Sequence, residues 1–184
     1  MKKVLVPLAP GCEELEAVTI IDILRRGGVT VVTAALSKEP VVAGHGLQLL
    51  ADMLLTEAMA DDDFDMVAVP GGMGGTEALL DTPPFLLFLQ RMAQQGRFIG
   101  AICAAPLLLE KAGLLENLRF TAYPGVLNLQ PNSTAEYTGK EVEIDKTIIT
   151  SRGPGTALDF ALVLLEALVG TPKRNEVEKQ LVRQ

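Results

Sequence analysis

One cysteine is placed for nucleophilic chemistry by the residues around it. Cys103 lies in Phe98-Ile-Gly-Ala-Ile-Cys-Ala-Ala-Pro-Leu-Leu-Leu-Glu110, where an apolar, strand-like run passes through three small residues into a helix-like run. A side chain at such a strand-to-helix corner is thrown out of a tight turn, with the first amides of the new helix beside it. Those N–H groups and the helix dipole favour thiolate, the reactive form of cysteine. The competing reading is a small buried hydrophobe, since alanines flank the thiol where a nucleophile elbow would carry glycines.

Glu13, Glu14 and Glu16 crowd the first turn of what reads as the first helix, where carboxylates oppose the helix dipole. Capping and surface charge account for Glu13 and Glu14. Glu13 and Glu16 share a helical face, so at least one of them could turn back toward the crevice. A carboxyl buried beside a thiolate has its pKa raised and stays protonated, able to donate to sulfur or to a substrate oxygen. The glycine loop Gly71–Gly75 reads either as a tight turn or as a nest of N–H donors for an oxyanion. It has neither the spacing of a dinucleotide fingerprint nor the lysine of a phosphate loop, so the oxyanion cradle is the better reading.

The elements that must position these residues alternate. Lys3–Leu8 and Val29–Ala35 are β-branched runs separated by the helically spaced Glu13–Arg26, which ends at Gly27-Gly28. Phe64–Val69 reads as a buried strand, followed by helices Thr76–Leu80 and Pro83–Gln95, the strand Arg97–Ile102, and the corner at Cys103. Helix Ala105–Lys111, strand Arg119–Thr121, a polar excursion at Asn132–Lys140 with room for a small antiparallel strand, and strand Lys146–Thr150 come next. Gly153-Pro154-Gly155 then opens the amphipathic helix Thr156–Val169. The alternation predicts an α/β fold in which 1–184 is a single domain, a mainly parallel sheet covered by helices on both faces. The ligand crevice of such a sheet lies outside the carboxyl ends of its strands, where Ala9–Glu16, Gly71–Gly75 and Cys103 converge.

The totals narrow the function. With 184 residues, 48% hydrophobic and 21% charged, the chain has the composition of a soluble globular domain. A net charge of −7 argues against a nucleic-acid partner. The opening apolar stretch is broken by prolines and meets Glu13 and Glu14, so it reads as a first strand and not a signal peptide. No run is long enough to cross a bilayer, and two distant cysteines make no disulfide framework, so a reducing cytoplasm is expected. His45 is the only histidine. No metal-ligand spacing results, and no metal or cofactor is expected.

Four segments, Pro10-Gly-Cys-Glu-Glu-Leu-Glu16, Pro70-Gly-Gly-Met-Gly-Gly75, Ala101-Ile-Cys-Ala-Ala-Pro106 and Thr150-Ser-Arg-Gly-Pro-Gly-Thr156, together resemble the ThiJ/PfpI superfamily, in the branch of the Parkinson-disease-associated protein deglycase. The resemblance implies a flavodoxin-like three-layer sandwich and a homodimer. It makes Cys103 the reactive cysteine and Glu16 its protonated partner, with Gly72 and Ala104, beside Gly71, forming the oxyanion hole. It also carries Arg26 into a neighbouring subunit's site and packs Gly153–Thr156 near the crevice.

Departures from that pattern matter. Several relatives have a histidine in the segment that here reads Thr121-Ala-Tyr123-Pro124, so a Cys-His-Glu triad for proteolysis or glutamine hydrolysis cannot be assembled. Tyr123 either donates a hydrogen bond to a bound oxygen or serves as a core tyrosine. His45 falls where relatives carry an arginine near the dimer contact, and reads as interface or surface. Cys12 precedes the Glu16 helix on a loop facing the same crevice; it is either a resolving thiol for oxidised Cys103 or a small buried residue.

The resemblance implies a cofactor-independent enzyme acting on 2-oxoaldehydes such as methylglyoxal, with lactate as product, or on the early adducts they form on glycated proteins. The alternative is a redox-responsive stress protein or chaperone that senses oxidation through Cys103. A flavin carrier is disfavoured, because the chain has no Trp and only two Tyr to stack the ring.

Overall fold

The computed structural model describes residues 1–183. Strand β1 (Lys3–Leu8) leads through α1 (Glu14–Arg26) to β2 (Thr30–Ala35). A hairpin of β3 (Val41–Val42) and β4 (Gln48–Leu49) follows, then β5 (Met53–Leu54) and the single turn α2 (Leu55–Ala58). Strand β6 (Met66–Val69) runs into α3 (Met73–Leu80) and α4 (Pro83–Gln94), and β7 (Phe98–Ile102) into α5 (Pro106–Lys111). The chain continues through β8 (Arg119–Phe120), β9 (Glu136–Tyr137), β10 (Val142–Asp145) and β11 (Ile148–Ser151). A 3-10 turn (Pro154–Thr156), α6 (Ala157–Val169) and α7 (Thr171–Gln180) complete it.

Seven strands form one sheet in the order β10-β11-β7-β6-β1-β2-β5. Every neighbour is parallel except β10, which pairs antiparallel with β11. Side chains alternate across this sheet and build two apolar layers. Val4, Val6 and Leu8 join one layer with Ile20 and Leu24 of α1 and Phe160 and Leu164 of α6. Leu5, Val67 and Ile99 join the other with Leu79, Phe85, Leu89 and Leu108 of α3, α4 and α5. Helices therefore cover both faces, the three-layer sandwich that the alternating sequence predicts.

Glycine sets how closely α6 approaches. A Cβ on Gly27 would sit 2.2 Å from Leu165 Cδ1, and one on Gly100 would sit 2.9 Å from Leu164 Cδ2. The close seat lets β7, the strand that ends at the cysteine, lie flat under α6.

The structure corrects the sequence reading in the stretch after residue 118. The excursion does return a short strand, β9, but it pairs parallel to β8 in the register Arg119↔Glu136 and Phe120↔Tyr137. The antiparallel strand is β10, which the sequence reading did not separate from its loop. Lys146, expected to open a strand, instead forms the turn between β10 and β11 at φ +54°. Helix α7 was not anticipated: Val177 is its one buried residue, so no apolar stripe announces it.

Candidate active site

β1, β6 and β7 are neighbours in the sheet, and the loops at their carboxyl ends meet. β7 ends at Ile102, and Cys103 follows with φ +64°. Non-glycine residues seldom adopt that conformation, and holding it costs on the order of 1–3 kcal/mol. Two backbone hydrogen bonds impose it. Cys103 N–H donates to the Ser151 carbonyl at 2.9 Å, and Tyr123 N–H donates to the Cys103 carbonyl at 2.9 Å. Pro106 then opens α5 at a position where its missing N–H is no loss. The corner has the backbone geometry of a nucleophile elbow, with alanines in place of glycines.

Glu16 enters from α1. Glu13 caps that helix by accepting from Leu15 N–H at 3.3 Å, which leaves Glu16 one turn inside and fully buried. Gly71 N–H donates to Glu16 Oε2 at 2.7 Å, while the Gly71 carbonyl accepts from Glu13 N–H at 2.9 Å. The start of α1 and the glycine loop are thus locked together. Glu16 Oε1 is buried and has no well-formed hydrogen bond, and the carboxyl lies against the Cys103 thiol.

Glycine is required in this loop. A Cβ on Gly71 would sit 2.5 Å from Cys103 Cβ and 2.8 Å from Glu16 Oε2. Gly72 has φ +84°, and a Cβ there would meet the Glu13 amide nitrogen and the Gly11 carbonyl oxygen, each at 2.5 Å. Freed of a side chain, the Gly72 amide turns to the Cys103 sulfur, as does that of Ala104.

Burial pushes the Glu16 carboxyl up to about 7, against the pull of the Gly71 amide and the thiol contact. Burial also pushes the Cys103 thiol up to about 12, helped by the charge of Glu16 and opposed by the Gly72 and Ala104 amides. This corrects the expectation of a thiol acidified by the helix amides: burial and the neighbouring carboxylate outweigh them. Carboxyl and thiol titrate as one pair, which loses its first proton well before the thiol alone would lose its own. When the proton sits on Glu16, the charge sits on sulfur, where two amides receive it. The route to thiolate runs through the carboxyl.

The remaining sequence candidates disperse. Cys12 is buried against Gly75, with its thiol pushed up to about 11 by burial, and it has no disulfide. Its burial fits the small buried residue of the two readings. Arg26 pairs with Asp22 at 2.6 Å, ten residues and about 15 Å of helix beyond Glu16. It does not approach Cys103 within its own chain. Tyr123 is half-exposed, so it is not a core tyrosine; its backbone holds the elbow and its ring packs on Gly153.

Two groups escaped sequence reasoning. Ser151 supplies the carbonyl that fixes Cys103, and only the β7–β11 register, Ser151↔Ile102, reveals it. His45 meets Glu14 at 3.2 Å and Glu13 at 3.5 Å, so Glu14, expected to be a plain helix-end charge, ties down the β3–β4 turn. Ligand atoms of Glu13, Glu14 and His45 lie within 4.8 Å of one another, a grouping invisible in their spacing along the chain.

Comparison with known proteins places this geometry. Residues 2–167 match the DJ-1/PfpI family. The chain belongs to that family. Among DJ-1/PfpI relatives, Protein dj-1beta of Drosophila melanogaster is 41% identical across 98% of this chain and 97% of its own. Glutathione-independent glyoxalase DJR-1.2 of Caenorhabditis elegans is 35% identical across 98% and 96%. Protein DJ-1 homolog B of Arabidopsis thaliana is 42% identical over 96% of this chain. This chain spans less than half the length of the Arabidopsis relatives, 40% of homolog B and 46% of homolog A.

Solved DJ-1 structures superpose closely. Oxidized DJ-1 of Toxoplasma gondii gives a TM-score of 0.91 at 37% identity, covering 99% of this chain and 98% of its own. Drosophila DJ-1beta gives 0.91 at 40% identity, covering 100% and 98%. The fold is that of the DJ-1 proteins, and no helix among the described residues is long and apolar enough to cross a membrane.

Proposed function

We propose that this DJ-1/PfpI protein is a cofactor-independent cysteine enzyme that converts 2-oxoaldehydes to 2-hydroxy acids, methylglyoxal to lactate, and acts on early glycation adducts of the same aldehydes. The carrying observation is the buried Glu16 carboxyl, pushed up to about 7, set against a cysteine sulfur that faces two free amides. The glyoxalase name of the C. elegans relative supports the reading.

In the proposed reaction Glu16 takes the thiol proton and sulfur attacks the aldehyde carbon. The C–S bond forms as the carbonyl π-pair moves to oxygen, which the Gly72 and Ala104 amides receive. Losing one such donor typically costs about 2.7–4 kcal/mol in the barrier. Glu16 passes the thiol proton to the neighbouring ketone oxygen, then takes the proton of the former aldehyde carbon and returns it to the neighbouring carbon, so the first carbon is oxidised to a thioester and the second reduced to an alcohol. Water cleaves the thioester, returns the thiol, and releases the 2-hydroxy acid. Overall one aldehyde and one water give one acid.

A second reading has one observation in its favour, the oxidized state named for the Toxoplasma structure. Here Cys103 would be oxidised to a sulfinate held by the same amides and by Glu16, and the protein would respond to oxidants. Purified protein supplied with methylglyoxal separates the two. Steady lactate release, abolished in Cys103→Ser and lowered about 100-fold or more in Glu16→Gln, is expected of the enzyme. No lactate, with peroxide adding two oxygens to Cys103 and altering partner binding, would overturn it.

The proposal includes a homodimer in a reducing compartment, with Arg26 of one copy entering the other's crevice. Leu15 and Val18 stand half-exposed on the same solvent face of α1 as Asp22 and Arg26, an apolar and ionic strip suited to a second copy.

A further inference from the structure

An open cavity of about 510 Å³ adjoins the elbow, lined by Tyr123, Pro124, Glu141, Arg152, Pro154 and Thr156 among others. Two of these residues are tied to the nucleophile. Tyr123 bonds to the Cys103 carbonyl, and Arg152 follows Ser151, whose carbonyl receives the Cys103 amide. Since Ser151 is in register with Ile102, Arg152 and Cys103 are the residues that follow the last pair of these two strands. The cavity is therefore lined by residues joined to the backbone that holds Cys103, and it is larger than methylglyoxal needs.

Its chemistry is that of a receptor for an anion on an apolar stem. The half-exposed Tyr123 ring and the two prolines give apolar walls. Arg152 gives the one cation of the lining. Its guanidinium is held loosely, with Gly139 carbonyl oxygen at 3.3 Å and Glu141 Oε1 at 3.5 Å. The Glu141 side chain is 68% exposed, and so exposed an ion pair yields readily to a better carboxylate.

We infer that this cavity is the subsite for the part of the substrate beyond the reacting carbons, and that Arg152 there selects 2-oxoaldehydes whose tail ends in a carboxylate. This rests on the glyoxalase reading of Cys103 and Glu16. The reacting carbons sit at sulfur, the methylene stem lies on Tyr123 and Pro154, and the terminal carboxylate displaces Glu141 from Arg152. Glu141 acts as a built-in competitor.

The test compares 4,5-dioxopentanoate with 2-oxopentanal, its uncharged counterpart of equal chain length. Wild type is expected to prefer the anion by about tenfold or more in kcat/KM, carried in KM. Arg152→Met should bring the ratio of the two kcat/KM values down to about one, while Glu141→Gln should widen it. Opposite signs from the two variants are not the mark of a fold defect. A ratio near one in wild type, or one that Arg152→Met leaves intact, overturns the inference. If methylglyoxal itself is not turned over, the glyoxalase reading has failed, and the subsite is read by titrating the Tyr123 ring NMR signals with 2-hydroxyglutarate. Saturable shifts in wild type that vanish in Arg152→Met uphold an anion subsite; no shift in wild type overturns it.

Discussion

Gly71 N–H donates to Glu16 Oε2 at 2.7 Å, and the same glycine Cα faces Cys103 Cβ so closely that any side chain would strike both. One backbone position thus sets the distance between acid and nucleophile. Gly71→Ala would push Cys103 and Glu16 apart, since the third obstacle, the Ile102 carbonyl oxygen at 2.8 Å, cannot yield. Overpacking of this kind costs about 1–3 kcal/mol of stability. Thermal unfolding and methylglyoxal turnover measured together should show a modest fall in Tm and loss of nearly all turnover.

Alkylation of Cys103 by iodoacetamide should follow the first proton lost by the pair. Its rate is expected to rise with a midpoint near 7, below the free-cysteine value of about 8.5. In Glu16→Gln no carboxylate takes the proton, and the buried thiol must ionise alone, so the midpoint moves to higher pH. A midpoint that stays in place in Glu16→Gln would show that the amides alone activate the sulfur.

The strand-to-helix corner was legible because small residues stand between an apolar strand and an apolar helix, but that pattern fits a nucleophile and a small buried cysteine alike. Cys103, Glu16 and Gly71–Gly75 converge because each follows or begins an element whose pattern is clear in the sequence. The sense of the Cys103 shift was not legible. It depends on burial, which is a property of the packed α1 and β6 loops and not of the residues flanking the thiol. Nor was the β9 pairing, since two-residue strands carry no periodicity and follow from where the excursion happens to return. Arg152 lay in a segment whose glycines and proline attracted the reading, and its place after the same last strand pair as Cys103 emerges only from strand register.

Arg26 tests the proposed second copy. Among the described residues its one side-chain partner is Asp22 on the helix surface, a pair worth a few tenths of a kcal/mol. Arg26→Ala should therefore leave Tm nearly unchanged. If Arg26 enters a partner's crevice, the variant should still lower methylglyoxal turnover, with sedimentation showing twice the chain mass in wild type. A monomer in sedimentation, or full turnover in Arg26→Ala, would remove this arginine from the site.

Burying Glu16 also ties folding to pH. Its folded pKa, about 7, lies above the ordinary 4.5, so between those values the folded chain holds a proton that the unfolded chain has released. The stability it contributes is full below about pH 4.5 and is lost as pH rises through about 7. Between pH 5 and pH 8 that loss amounts to roughly 2–3 kcal/mol, or about 5–10 °C in Tm for a chain of this length. Other carboxylates pull the opposite way. Asp52, Asp61, Asp65 and Glu143 are held below their usual range, the first with Thr33 and Arg25, the others with lysines and arginines, and they destabilise the fold only as pH falls below that range. The informative quantity is therefore the Tm of wild type minus that of Glu16→Gln, which keeps the shape of the side chain and does not titrate. That difference should shrink steadily from pH 5 to pH 8. If it stays constant, Glu16 does not titrate between pH 5 and pH 8, and the raised carboxyl that carries the proposed function is absent.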